Sequence, residues 1–315
     1  MSRPFSGLRV LLVAAFNARY HRSGLDLARG LETLGCEVRT CEARDRGLPA
    51  LFGRPLPERL ARALGRETDV VLAFRGERLE PALVAHLRPG TRARWVNWFP
   101  DDPHDAALGD RLASAYDVFF THDSASLPRY RRAGVQAHYL AFGCDPAYVC
   151  PVATNARWRA AMVFVGSRDP LRERVLEAVA DLGLLVWGPR WPNGPVYGRN
   201  YVHALGGGAV GLNVHQQFGG DDAARYGSGA NMRVFELAAV GTPQLVDAKA
   251  DIARHFTPEH EIVLYRSVAD LRARATELLA HEAGRASLAA AARARVLRDH
   301  TWAQRLEELL TITLR

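Results

Sequence analysis

Leu8-Arg-Val-Leu-Leu-Val-Ala-Ala15 is a short apolar run rich in Leu and Val, of the kind that fills a strand buried on both faces of a parallel sheet. An amphipathic segment follows at 23–34 and stops at Gly35. Cys36-Glu-Val-Arg-Thr-Cys-Glu42 then alternates like a second strand. Further strands fit Asp69–Phe74, Ala93–Phe99, Asp117–Thr121 and Gln136–Leu140, with helical patterns at 78–88, 106–115 and 124–133. Strand and helix in strict turn argue for an α/β fold, a parallel sheet with helices on both faces.

Around 143–158 the rhythm breaks. Gly143-Cys-Asp-Pro146 and Cys150-Pro-Val-Ala-Thr-Asn155 carry turn residues without periodicity, which places a linker there. The pattern restarts with strand Ala161–Val165, a helix at 170–182 and strand Leu184–Trp187. A Gly/Pro-rich loop at 188–198, a helix at 199–205, strand Val210–His215 and a helix at 232–240 follow. Strands Thr242–Val246 and Glu261–Tyr265 close this sheet, and the chain from Val268 onward reads as helix. The expectation is an N-terminal domain over 1–150, a second over 156–300, and a ligand cleft between two such halves at strand carboxyl ends.

Composition agrees. A chain of 315 residues is long enough for two cores, and 48% hydrophobic residues is ordinary for a globular protein. Disorder, collagen repeats and a disulfide scaffold are excluded. No apolar stretch approaches the roughly 18 residues of a membrane span, and the N-terminus runs into a strand without a signal peptide, so no transmembrane segment and a cytoplasmic location are expected. Lys and Arg number 41 against 34 acids, a formal charge of +7, and Lys249 is the single lysine among them. The arginines are interleaved with acids, as in Arg172-Glu173-Arg174, not gathered in the stripe a nucleic-acid partner needs. Cys36, Cys41, Cys144 and Cys150 lack the short paired spacing of a zinc site, so no bound metal is expected.

Gly206-Gly-Gly-Ala-Val-Gly211 fits a dinucleotide fingerprint in letters only: it precedes a strand, where the fingerprint follows one and opens a helix. Tyr226-Gly-Ser-Gly-Ala-Asn-Met-Arg-Val-Phe-Glu-Leu-Ala-Ala-Val-Gly-Thr-Pro243 is more informative. A Gly/Ser/Asn loop leads into a helix whose first turns carry Arg233 and Glu236. Unpaired N–H groups at such a helix start suit a diphosphate, Arg233 adds charge, and Glu236 can accept hydrogen bonds from a ribose diol. An ordinary helix capped by Asn231 and stopped by Gly241 describes the same residues equally well. Gly166-Ser167 ends another strand just before a helix led by Asp169-Pro170. Asn213 and His215 share one face near the end of a third strand. Trp95-Val-Asn-Trp-Phe-Pro-Asp-Asp-Pro-His104 and Thr121-His122-Asp123 put carboxylates and imidazoles at strand ends, where a general base would stand. The same Asp-Asp-Pro-His serves equally as a turn capping the next helix.

Taken in order, these motifs resemble the GT-B glycosyltransferases, and among them the CgeB-like, spore-maturation-protein group. The resemblance rests on Asn231, Arg233, Phe235, Glu236, Gly241 and Pro243. It extends to the Trp–Asp-Asp-Pro segment 95–103, Phe119-Phe-Thr-His-Asp123, Phe142-Gly-Cys-Asp-Pro146, the Gly166-Ser167 loop, strand 210–215 and Thr301-Trp-Ala-Gln-Arg305. It implies two Rossmann-like domains, a nucleotide-diphosphate sugar as donor substrate with no further cofactor, and an unidentified acceptor: glycan, small molecule or protein. Donor contacts are implied for Gly166, Ser167, Asn231, Arg233 and Glu236, and the strand-end pair Asn213 and His215 joins them as candidate donor contacts. The base is implied at Asp102, with Asp101, His104 and His122 as rivals, and a terminal helix at 301–315 that returns to the N-terminal domain. Many retaining members carry two glutamates, the second placed like Glu236; the first falls here on Ser228. A nucleotide-sugar epimerase on the same fold, or a non-catalytic nucleotide-sugar-binding protein, fits the same residues.

Overall fold

The computed structural model describes residues 4–16, 22–44, 54–215 and 227–315; Tyr226 lies outside them. The chain divides into two compact units, Met1–Ala141 with Trp302–Arg315, and Phe142–Thr301. The segment 143–158, read above as a linker, therefore belongs to the second unit, and the division falls before Phe142.

The first unit runs β1 (Arg9–Ala14), α1 (Ser23–Thr33), β2 (Glu37–Glu42), α2 (Leu56–Ala63), β3 (Val70–Phe74), α3 (Pro81–Leu87), β4 (Arg94–Phe99), α4 (Ala106–Ala113), β5 (Val118–Thr121), α5 (Leu127–Arg132) and β6 (Ala137–Tyr139). Its six strands lie in the order β2-β1-β3-β4-β5-β6, and every pairing is parallel. Val10 to Ala14 are all buried, as a strand covered on both faces requires. Leu11, Val13, Val71, Trp95, Phe99 and Phe119 share one core, each contributing about 1.5–3 kcal/mol by leaving water. Helix α2 was not expected. Leu56 and Leu60, one turn apart, are its buried residues, with Ala63 partly buried against the same core, and Glu58, Arg59 and Arg62 break up the apolar pattern.

The second unit runs β7 (Ala160–Val165), α6 (Pro170–Glu177), β8 (Leu184–Trp187), α7 (Arg199–Gly206), β9 (Gly208–Asn213), α8 (Met232–Val240), β10 (Gln244–Asp247), β11 (Val263–Tyr265), α9 (Val268–Ala280) and α10 (Glu282–Asp299). The order is β11-β10-β9-β7-β8, again all parallel. The helix expected over 170–182 stops at Glu177, and the remainder is a short 3-10 turn, Ala180–Leu182, leading to a left-handed Gly183. Gly206–Gly211 closes α7 and enters β9, a plain turn before a strand. The last helix, α11 (Trp302–Thr313), groups with the first unit; the Trp302 ring meets Trp98 edge-on at 5.5 Å.

Both sheets follow one plan. Strand order reverses between β1 and β3 in the first unit and between β7 and β9 in the second. Open α/β sheets bind ligands beyond the carboxyl ends of the strands at such a reversal, because the connecting helices leave to opposite faces there.

Candidate active site

In the second unit β7 ends in Gly166-Ser167, and Asp169 caps α6 by accepting from Leu171 N (3.0 Å) and Arg172 N (2.9 Å). Pro170 occupies the first helical position, where its missing N–H costs nothing. The loop is zipped to the turn after β8: Gly166 N–H donates to Trp187 O (2.9 Å) and the Trp191 indole N–H to Gly166 O (3.0 Å). Gly188 sits so close that a Cβ there would lie 1.8 Å from Gly166 O, which only glycine avoids.

Arg172, in the first turn of α6, is buried. Its Nη1 donates to Ser167 O (3.0 Å) and Ser167 Oγ (2.9 Å), while Nε and Nη2 donate to Val214 O (3.1 and 2.9 Å). One guanidinium thus spans the reversal from the end of β7 to the end of β9. Burial, and then the nearby charge of Arg233, pull its pKa down to about 10.

Asn231 is the N-cap of α8, accepting from Val234 N at 3.3 Å, and Gly241 ends the helix in the left-handed conformation. Asn213 and Asn231 exchange two amide hydrogen bonds of 3.0 Å. The Asn231 N–H donates to His215 Nε2 (3.0 Å), and both the His215 N–H (2.9 Å) and its ring Nδ1 (2.7 Å) meet Asp247 Oδ1. A neutral imidazole protonated at Nδ1 satisfies every one of these bonds. Asn213 and His215 are therefore buried braces of the helix start; their polar atoms are engaged inside the protein, not offered to a donor as expected. Burial pushes the Asp247 carboxyl up, but His215, with the Lys249 ammonium beside it, holds it below the usual carboxylate range.

Arg233 and Glu236 meet through a residue the sequence did not single out. Arg233 Nε and Nη2 donate to the Tyr201 hydroxyl (3.2 and 2.9 Å), which donates onward to Glu236. Burial opposes the Arg233 charge, yet Tyr201 and Glu236 hold its pKa above the ordinary arginine value. Both ends of this chain stay half-buried on α8. Ser228, where a first glutamate would stand, is buried and donates to Asp251 Oδ2 at 2.8 Å, anchoring the loop that enters α8.

In the first unit the expected base is consumed. Asp102 has no exposed side-chain surface; it accepts from Thr121 Oγ1 (2.6 Å), Arg129 Nη2 (2.6 Å) and the Tyr130 hydroxyl (2.9 Å). A carboxylate so enclosed ties β4, β5 and α5 together and has no lone pair turned toward an acceptor. Its pKa is pushed up by burial against the pull of those three donors. His122 is buried at the end of β5, and Asp123 accepts from Ser126 Oγ (2.6 Å) to shape the following turn.

Asp101 differs. Its side chain keeps 35% exposure and pairs with Arg75 at 2.7 Å, and Arg75 also reaches Asp105 (3.6 Å) and Glu77 (3.8 Å). Arg44 joins Glu77 from the end of β2 at 3.6 Å. Burial raises the Asp101 pKa, Arg75 lowers it, and Asp105 and Glu77 raise it further, leaving it above the ordinary value. Arg75 stands directly after β3, beside the reversal, with φ of 69°, a conformation that costs a non-glycine residue about 1–3 kcal/mol and clusters at ligand sites. Among the described residues no group of three or more His, Cys, Asp or Glu is placed to hold a metal, and no helix is long and apolar enough to cross a membrane.

Residues 168–311 match the family model described as glycosyl transferase-like. Among solved structures, sucrose-phosphate synthase from Thermosynechococcus elongatus superposes with a TM-score of 0.67 at 13% identity, over 97% of this chain and 99% of that one. AviGT4, a glycosyltransferase involved in avilamycin A biosynthesis, gives 0.66 at 19% identity over 98% and 97%. The chain has the GT-B fold. HepE from Anabaena, solved with UDP and glucose, gives 0.66 at 11% identity over 96% and 99%. No curated protein matches by sequence. The family model falls almost wholly within the second unit.

Sequence reasoning overlooked Arg172, Tyr201, Asp247 and Arg75 as site residues. Arg172 was open to the argument applied to Arg233, a cation in the first turn after a Gly/Ser loop. Tyr201 carried no such signal, because only the packing of α7 against α8 gives its hydroxyl a purpose.

Proposed function

We propose that this chain moves a sugar from a nucleoside-diphosphate sugar to an acceptor hydroxyl, with donor binding assigned to the second unit. The observation that carries this is Arg172 buried across the ends of β7 and β9 with Arg233 in the first turn of α8, two guanidinium groups at one strand reversal whose like charges add to burial in lowering the Arg172 pKa. A diphosphate relieves that repulsion and lies at the amino end of α8, where the helix dipole favours an anion. Arg233 then stabilises the leaving diphosphate, and Arg172, engaged with Ser167 and Val214, adds its charge from beneath the loop, so the reaction requires no metal. Glu236, held by Tyr201, accepts from the ribose hydroxyls.

Acceptor binding and the base fall to the first unit, and Asp101 replaces Asp102 as the base. The bond from the sugar's anomeric carbon to the diphosphate oxygen breaks, a bond from the acceptor oxygen forms, and the acceptor proton passes to Asp101. The acceptor is a glycan, a small molecule or a protein hydroxyl. Membership of the CgeB-like group belongs to the same proposal, supported by the order of the motifs. So does a cytoplasmic location, supported by four free cysteines. UDP, the ligand of HepE, is the first probe. Calorimetry in EDTA with UDP, GDP, ADP and dTDP should show binding of at least one; binding of none overturns the donor reading, and product analysis with and without added acceptors separates transfer from epimerisation.

A further inference from the structure

Lys249 is the one lysine in a chain with 41 basic residues, and it is 6% exposed. A composition so committed to arginine retains a lysine where a compact ammonium serves and a planar five-donor fork does not. Lysine is also among the residues least often buried, and a buried one needs partners. Lys249 stands two residues after β10, at the carboxyl edge of the second sheet. Its Nζ donates to Gly227 O at 3.3 Å, and its charge helps hold the Asp247 carboxyl ionised.

The hydrogen bond holds one end of a loop whose other end leads back to Asp247. Gly227, with φ of 75°, opens the segment Gly227–Asn231, whose first four residues are buried. Lys249 grips the first residue directly. At the far end, Asp247 orients His215, and His215 Nε2 receives the Asn231 N–H. Between them Ser228 is pinned twice, its hydroxyl to Asp251 Oδ2 (2.8 Å) and its carbonyl oxygen to Asp251 N (3.0 Å). We propose that Lys249 is a positioning residue of the donor site, an ammonium clamp that fixes Gly227–Asn231 and so sets the amino end of α8 against the donor's diphosphate. The proposal rests on the donor reading above.

An arginine at 249 keeps the charge but not the fit, since its planar guanidinium is wider than an ammonium and brings five N–H donors in a fixed fork into the same buried space. A methionine keeps the stem and loses the charge. The test compares the full chain with Lys249→Met and Lys249→Arg, using UDP and inorganic pyrophosphate as calorimetric probes below each variant's unfolding temperature. Amide hydrogen exchange of the 227–236 segment is followed in parallel. Both variants should bind both probes about tenfold or more weakly, the scale of one lost charged hydrogen bond, and should exchange 227–231 faster while α1 and α11 are unchanged. Parent-like affinity in folded Lys249→Met overturns the clamp, and so does full rescue by Lys249→Arg, which would make the residue a generic cation. A variant that only melts earlier, with affinity and exchange intact, overturns it too. Absence of binding by the parent itself removes the donor reading, a result distinct from all of these. Should Lys249→Met fail to fold, Lys249→Arg and its exchange pattern decide the matter.

Discussion

At the strand reversal of the second unit stand Arg172 and Arg233; at that of the first, Glu77, Asp101 and Asp105 gather around Arg75 and Arg44. The second sheet repeats the strand order of the first without its sixth strand, so strand order does not distinguish these edges. Crowding of like charge does. In the second unit burial and then a neighbouring guanidinium lower an arginine; in the first, burial and then neighbouring carboxylates, against the pull of Arg75, raise an aspartate. Each edge therefore favours what relieves it, an anion in one case and a proton in the other. The Asp102 cluster differs in access and not in sign: burial raises its carboxyl too, but Thr121, Arg129 and Tyr130 enclose it and leave no surface for a substrate to reach.

The sharpest way to break this comparison uses two adjacent residues. Asp101→Asn should lower turnover by about 10²–10⁴-fold, the range for loss of a general base, with UDP affinity unchanged. Asp102→Ala should instead cost stability, about 3–5 kcal/mol, because it leaves Arg129, Thr121 and Tyr130 facing an empty site. Steady-state kinetics and urea unfolding separate the two. A folded Asp102→Asn protein that loses as much turnover as Asp101→Asn would show that the enclosed carboxylate is the working one.

Arg233→Ala probes the other edge. It removes one of two like charges and, on the proposed donor reading, one diphosphate contact, so UDP should bind more than tenfold weaker while uridine, lacking phosphate, should bind as before. Equal losses for UDP and uridine would mean that Arg233 only supports Tyr201 and Glu236. The size of this effect also measures how far α8 alone, through its dipole, holds the anion.

Much of this was legible from residues in order. Apolar runs such as 8–15 and 161–165 and the caps Asn231 and Gly241 are local signals, and local signals survive without coordinates. What failed depends on who faces whom. Asp101 and Asp102 are the same residue type on one turn, and only the placement of Tyr130 and Arg129 on α5 makes one structural and leaves the other half-exposed. Asn213 and His215 were rightly placed at a strand end, but their partners, Asn231 and Asp247, lie 18 and 32 residues away in sequence. Lys249 was visible as a compositional oddity; its meaning came from Gly227, 22 residues before it.

The smallest effect concerns the acid limb of turnover. A base acts as its carboxylate, so activity falls as pH drops through the pKa of Asp101 in the folded protein. That pKa lies above the ordinary aspartate value, raised first by burial and then, against Arg75, by Asp105 and Glu77. The limb should therefore lie higher than an exposed aspartate would place it. Glu77→Gln removes one of the two like charges, so the Asp101 pKa should drop and the limb move to lower pH, by less than about one unit for a partly solvated neighbour. Losing Glu77 also frees Arg75 to pair more fully with Asp101, which pushes in the same direction. Arg75→Gln should do the opposite, moving the limb upward, because the cation paired with the carboxylate at 2.7 Å is lost. Profiles of kcat against pH for the three proteins test the sign: limbs that shift in opposite directions tie the titrating group to Asp101, and limbs that coincide place the base elsewhere in the first unit.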